Sequence, residues 1–78
     1  MFTNFKLNRR IRSIKKQMTP RERAIFDLIY SREGGVTNKT CQTTLGYKIS
    51  GWVITKFKEL GVDLRVKNKH YYVRGIEM

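Results

Sequence analysis

Apolar residues recur along this chain with two different periods, and the change of period divides it. Leu7, Ile11, Ile14 and Met18 follow one another at steps of 4, 3 and 4. That spacing puts all four on one face of a helix. Thr19-Pro20-Arg21-Glu22 then predicts a new helix start. Thr19 can cap, Pro20 suits the first helical position, and Glu22 completes a capping box. Ile25, Leu28 and Ile29 supply the apolar face of this second helix. Gly34-Gly35 is expected to end it, because glycine accepts the left-handed conformation that follows a helix.

Thr37 is a further N-cap candidate, with a short helix over 38–45 that points Cys41 and Leu45 inward. Gly46 breaks it, Tyr47-Lys48-Ile49 makes a turn, and Ser50 caps the next helix. In that helix Ile54, Phe57 and Leu60 recur at steps of 3 and face the core, with Ile49 just before the cap. Gly61 stops it. The period then falls to 2. Val62, Leu64 and Val66 alternate with Asp63, Arg65 and Lys67, and Tyr71 and Val73 alternate with Tyr72 and Arg74. Such alternation marks half-buried strands, here joined through Asn68-Lys69 as a tight hairpin turn. The expected core is Ile25, Leu28, Ile29, Leu45, Ile49, Ile54, Phe57, Leu60, Leu64, Val66 and Val73.

A chain of 78 residues is one small unit, read here as a basic extension over 1–18 followed by a folded domain over 19–78. Charge changes the picture more than size does. Seventeen Lys and Arg against six Asp and Glu leave a net charge of +11. Self-repulsion on this scale in a small body implies a polyanionic partner. The single Cys41 cannot form an internal disulfide, which suits a reducing cytoplasm. The N-terminus lacks the apolar run of a signal peptide, and no stretch reaches the length of a membrane span.

Helix, helix, turn, helix and β-hairpin is the order of the winged helix-turn-helix family. The chain resembles that family from Gly35 to Val73, and most of all the N-terminal winged helix of biotin operon repressors. The matching residues are Thr44-Leu45-Gly46 at the turn, Ser50 at the cap, Ile54 and Phe57 in the third helix of that unit, Gly61-Val62-Asp63-Leu64, Val66 and Tyr71-Tyr72-Val73. The turn is one residue longer here, and the helix runs directly into Gly61 without the repressor's extra residues. The resemblance implies an α+β fold, a three-helix core with a C-terminal hairpin wing, and binding of double-stranded DNA by a small transcription regulator or accessory factor. It extends to no ligase or effector domain, so no cofactor and no small-molecule ligand are expected.

With Ile54, Phe57 and Leu60 inward, the helix over 50–60 shows Ser50, Gly51, Trp52, Thr55 and Lys56 outward, with Lys48 at the approach. The first half of a recognition helix usually reaches base edges in the major groove. Trp52 has two readings, a partly buried cover for the domain edge or an apolar contact to base or sugar. The hairpin offers Arg65, Lys67, Lys69 and Arg74 to backbone phosphates. Residues 65, 67 and 69 share strand parity and are expected on one polar face. The extension offers Arg9, Arg10, Arg12, Lys15 and Lys16. Its apolar stripe packs on the chain's own domain, pairs with a second copy on DNA, or leaves the helix as an arm on phosphates.

Two other classes of partner remain, a structured RNA such as ribosomal RNA and an acidic protein surface such as that of a polymerase subunit. Catalysis is not expected. His70 has no Ser, Cys or carboxylate at motif spacing, Cys41 reads as a small buried apolar residue, and the six acids are scattered. No metal-ligand spacing occurs.

Overall fold

The computed structural model describes residues 2–77 and starts with helix α1 (Phe2–Lys16). Residues 1 and 78, the outer ends of the two expected segments, lie outside that range. Ile14 of α1 is fully buried and Met18, just past its end, is 3% exposed. Ile11 packs beside them. The stripe from Ile11 to Met18 therefore lies on the chain's own core, one of the three readings it allowed, while Leu7 is half-buried outside that cluster. Polar ties hold it there. The Arg10 guanidinium donates from Nε to the carbonyl of Glu77 at 2.9 Å and from Nη2 to that of Leu60 at 3.2 Å. Lys15 pairs with Asp27 at 2.7 Å, and Arg23 Nε donates to the Lys15 carbonyl at 2.9 Å.

Helix α2 (Pro20–Tyr30) opens on the expected capping box. The Glu22 N–H donates to Thr19 Oγ1 at 3.2 Å, and the Thr19 N–H donates to Glu22 Oε1 at 2.9 Å. It ends earlier than its glycines imply. Ser31 closes it, with its N–H on the Asp27 carbonyl and its hydroxyl on that of Leu28. Gly35 has a different task. It sits at φ +85, and a Cβ there would lie 2.8 Å from the Tyr71 carbonyl. Only a residue without a side chain lets this segment approach the hairpin so closely.

Helix α3 (Asn38–Leu45) starts at Thr37, whose side chain accepts from the Thr40 N–H, and ends at Gly46 with φ +81. The Asn38 side chain, not anticipated, accepts the Ile49 N–H at 2.6 Å and fixes the turn beyond the helix. Helix α4 (Gly51–Glu59) follows, with Ser50 at its N-cap position but making no side-chain cap bond. Strands β1 (Val62–Lys67) and β2 (His70–Ile76) form an antiparallel hairpin. Val36 bridges to Tyr71 with two 2.8 Å backbone hydrogen bonds, extending the sheet by one residue.

Among the described residues the architecture is thus α+β: four helices and a C-terminal two-stranded antiparallel hairpin. One core joins them all, and it departs from expectation in instructive ways. Ile25, Ile29, Ile49, Phe57 and Leu64 are buried as expected, while Leu28, Leu45, Ile54, Leu60 and Val73 are half-buried on its flank. Phe26, Val36, Val53 and Val62 join it. Val53 belongs because an apolar helix face admits neighbours at both three and four residues, so Val53 and Phe57 share it with Ile54 and Leu60. Val66 is 58% exposed, since the hairpin runs past the edge of the core.

Candidate nucleic-acid interface

Helix α4 fixes the orientation of the residues nominated on it. Val53 and Phe57 anchor one side in the core, and this turns Gly51, Trp52 and Thr55 to solvent. Trp52 is 86% exposed. The reading of a partly buried cover is therefore set aside: the ring covers nothing and lines an open hollow with Gly51 and Thr55. Lys48 and Ser50 are also exposed, whereas Lys56 is half-buried. The Ser50 hydroxyl is not spent on capping.

The hairpin presents two faces. Residues directly opposite on antiparallel strands share a face. Arg65 lies opposite Tyr72 and Lys67 opposite His70, so this face mixes cations with aromatic rings. Lys69 does not continue the parity of 65 and 67, because it occupies the turn. Arg74 falls at the register shift opposite Asp63/Leu64 and is the extra residue of a bulge, exposed and without a cross-strand mate. Arg65 is already engaged with Asp63 at 2.8 Å. That hydrogen bond and the neighbouring charge hold the Arg65 guanidinium still more firmly protonated than usual. Lys67 and Lys69 carry no such partner among the described residues.

The turn itself stores strain. Asn68 and Lys69 have φ of 51 and 67, the pair of positive values of a type I′ turn. Asparagine tolerates this region; lysine gains nothing locally from it. Substituting Lys69→Gly is therefore expected to stabilise the protein by up to about 1 kcal/mol, glycine's larger unfolded-state entropy offsetting part of the relief. Denaturant melts measure this directly, and a loss of stability would show that position 69 is not left-handed. Lysine at a strained loop tip fits a role for the charge outside the fold.

The residues nominated on α1 divide. Arg10 and Lys15 are half-buried and committed to the contacts described above. Arg9, Arg12 and Lys16 are exposed, Arg9 lying 5.9 Å from the Phe5 ring. With Ile14 and Met18 inside the core, that half of the stripe is already covered and is not free to form a dimer seam. One contact carried no signal in the sequence: Arg21 stacks 4.6 Å over Tyr47. His70, read above as non-catalytic, places Nδ1 2.8 Å from the Asn68 carbonyl at the hairpin tip.

Burial pushes the Cys41 thiol pKa up, which disfavours a reactive thiolate. Among the described residues, no group of three His, Cys, Asp or Glu is placed to hold a metal, and no helix is long and apolar enough to cross a membrane. Comparison of the chain with family models, curated proteins and solved structures gave no match.

Proposed function

We propose that the chain is a double-stranded DNA-binding protein of the winged-helix-turn-helix kind, acting as a small transcription regulator or accessory factor. In this reading α3, the turn over 46–50 and α4 form the helix-turn-helix, and the hairpin is the wing. The observation that carries it is the outer face of α4, where Trp52, Thr55 and Ser50 stand in solvent at the start of the helix. That is the part of a recognition helix that meets base edges. The net charge of +11 and the exposed Lys67 and Lys69, which have no acidic partner among the described residues, supply the phosphate-binding component.

Selection from random duplexes at physiological salt tests it, and an enriched motif is the expected result. On the selected site, Trp52→Ala and Lys56→Ala should relax base preference. Lys67→Ala and Lys69→Ala should weaken all sequences alike and reduce the salt slope by about 1 each. Equal, sequence-independent losses at all four positions would reduce the protein to an electrostatic binder. Folded RNA, or an acidic protein, that outcompetes every duplex would overturn the reading in favour of that partner.

A further inference from the structure

Helix α1 contains six cations and no acid. Two of them, Arg10 and Lys15, are used to hold the helix in place. The other four, Lys6, Arg9, Arg12 and Lys16, are exposed and have no acidic partner among the described residues. Their spacing of 3, 3 and 4 makes a continuous stripe about 15 Å long on the side away from the buried Ile14. Arg12 and Lys16 also line a cleft with Arg23 of α2, Asn8 and Ile11.

The position of this stripe matters as much as its charge. Arg10 fastens α1 to the Leu60 and Glu77 carbonyls, at the corner where α4 ends, β1 begins and β2 finishes. Trp52 lies at the other end of α4, about 12 Å along its axis. Lys69 lies at the other end of the hairpin, about 20 Å from its base. Both elements that face DNA in the proposed function therefore extend away from the corner to which Arg10 ties the middle of α1. The molecule is 35 Å long, against a major groove about 12 Å wide.

From this placement we infer that the Lys6–Arg9–Arg12–Lys16 face of α1 is a second nucleic-acid surface that takes the phosphate backbone of another duplex, so that one molecule bridges two DNA segments. The inference rests on the DNA reading above. Phosphate is the fitting ligand because the four side chains are cations spread along the helix, and the cleft beside Arg12 and Lys16 adds a third cation, Arg23, to the same surface. Contacts of this kind are sequence-independent. Two duplexes held close repel each other, and a chain of net charge +11 between them offsets that repulsion.

A bridging assay on the full chain tests this. Protein is loaded on an immobilised duplex, and capture of a second, labelled duplex is then measured. The variant is Arg9→Gln/Arg12→Gln/Lys16→Gln, which spares Arg10 and Lys15, and its melting curve should match the wild type. Expected is a first-duplex Kd within about threefold of wild type, with second-duplex capture reduced at least about tenfold, as loss of three phosphate contacts implies. Four results overturn the inference. Equal loss for both duplexes would place α1 on the same DNA as α4. Undiminished capture by the variant would mean that a second copy of the chain bridges. A wild type that holds the first duplex and captures no second would leave α1 a solvated face. Binding of the α1 stripe to anionic lipid vesicles, with no capture of a second duplex, would assign it to a membrane surface. A wild type that is not held by the first duplex at all fails the DNA reading itself, which separates the two failures.

Discussion

Removal of residues 1–18 is expected to unfold the remainder of the chain. The deletion takes Ile14 and Met18 out of the core, and each is at most 3% exposed. Loss of one buried Ile or Met side chain typically costs about 2–5 kcal/mol. A chain of this length is stable by only roughly 4–12 kcal/mol. The deletion also strips the Arg10 bonds from the Leu60 and Glu77 carbonyls, removes the Lys15–Asp27 pair and opens the core cluster that Ile14 and Met18 complete. Circular dichroism should show the loss of a cooperative melt. The single change Ile14→Ala should act in the same direction and lower the melting temperature by roughly 10–30 °C. A truncated chain that melts cooperatively near the wild-type temperature would show that α1 is an appendage.

The sequence carried most of the element order. Capping chemistry is local, so Thr19, Pro20 and Glu22 start α2 as read, and Thr37 starts α3. Period 2 gave the hairpin, and Asn68 its turn. What it did not reveal depends on long-range partners. Val36 is a lone apolar residue between two helices, with no period of its own. It becomes buried only because Gly35 permits pairing with Tyr71. The extent of the core along the hairpin was also hidden: Val66 keeps perfect alternation, yet the strand has outrun the helices that would cover it. On the candidate interface, spacing along α4 assigned Trp52 to the outer side. Whether the ring was covered depended on the path of the neighbouring chain. The cations were legible as a number but not as roles. Arg10 and Lys15 look like their neighbours in sequence, and only the fold shows that they bind the chain's own carbonyls and Asp27.

Phe57→Ala is expected to cost about 3–5 kcal/mol and to leave so small a protein largely unfolded. Phe57 is 0% exposed. Its ring meets that of Phe26 edge to face, 5.8 Å between centroids and 82° between planes, and Phe26 in turn stacks on Tyr30 at 5.3 Å. This line of rings links α4 to α2, and alanine leaves a cavity that neither helix can close. A milder pair separates packing from simple burial. Phe57→Leu and Phe26→Leu should each destabilise less than alanine does, and the double variant should reveal a coupling of about 0.5–1.5 kcal/mol from the edge-to-face contact. Strict additivity would place the two rings out of contact. The stakes reach the proposed interface, because Phe57 and Val53 are the residues that set the rotation of α4 about its axis. Trp52 and Thr55 face solvent only in that rotation. If Phe57→Ala melted like the wild type while Trp52→Ala unfolded the protein, α4 would be turned the other way. Trp52 would then be a core residue, and the proposed DNA-facing surface would have to be sought elsewhere on the molecule.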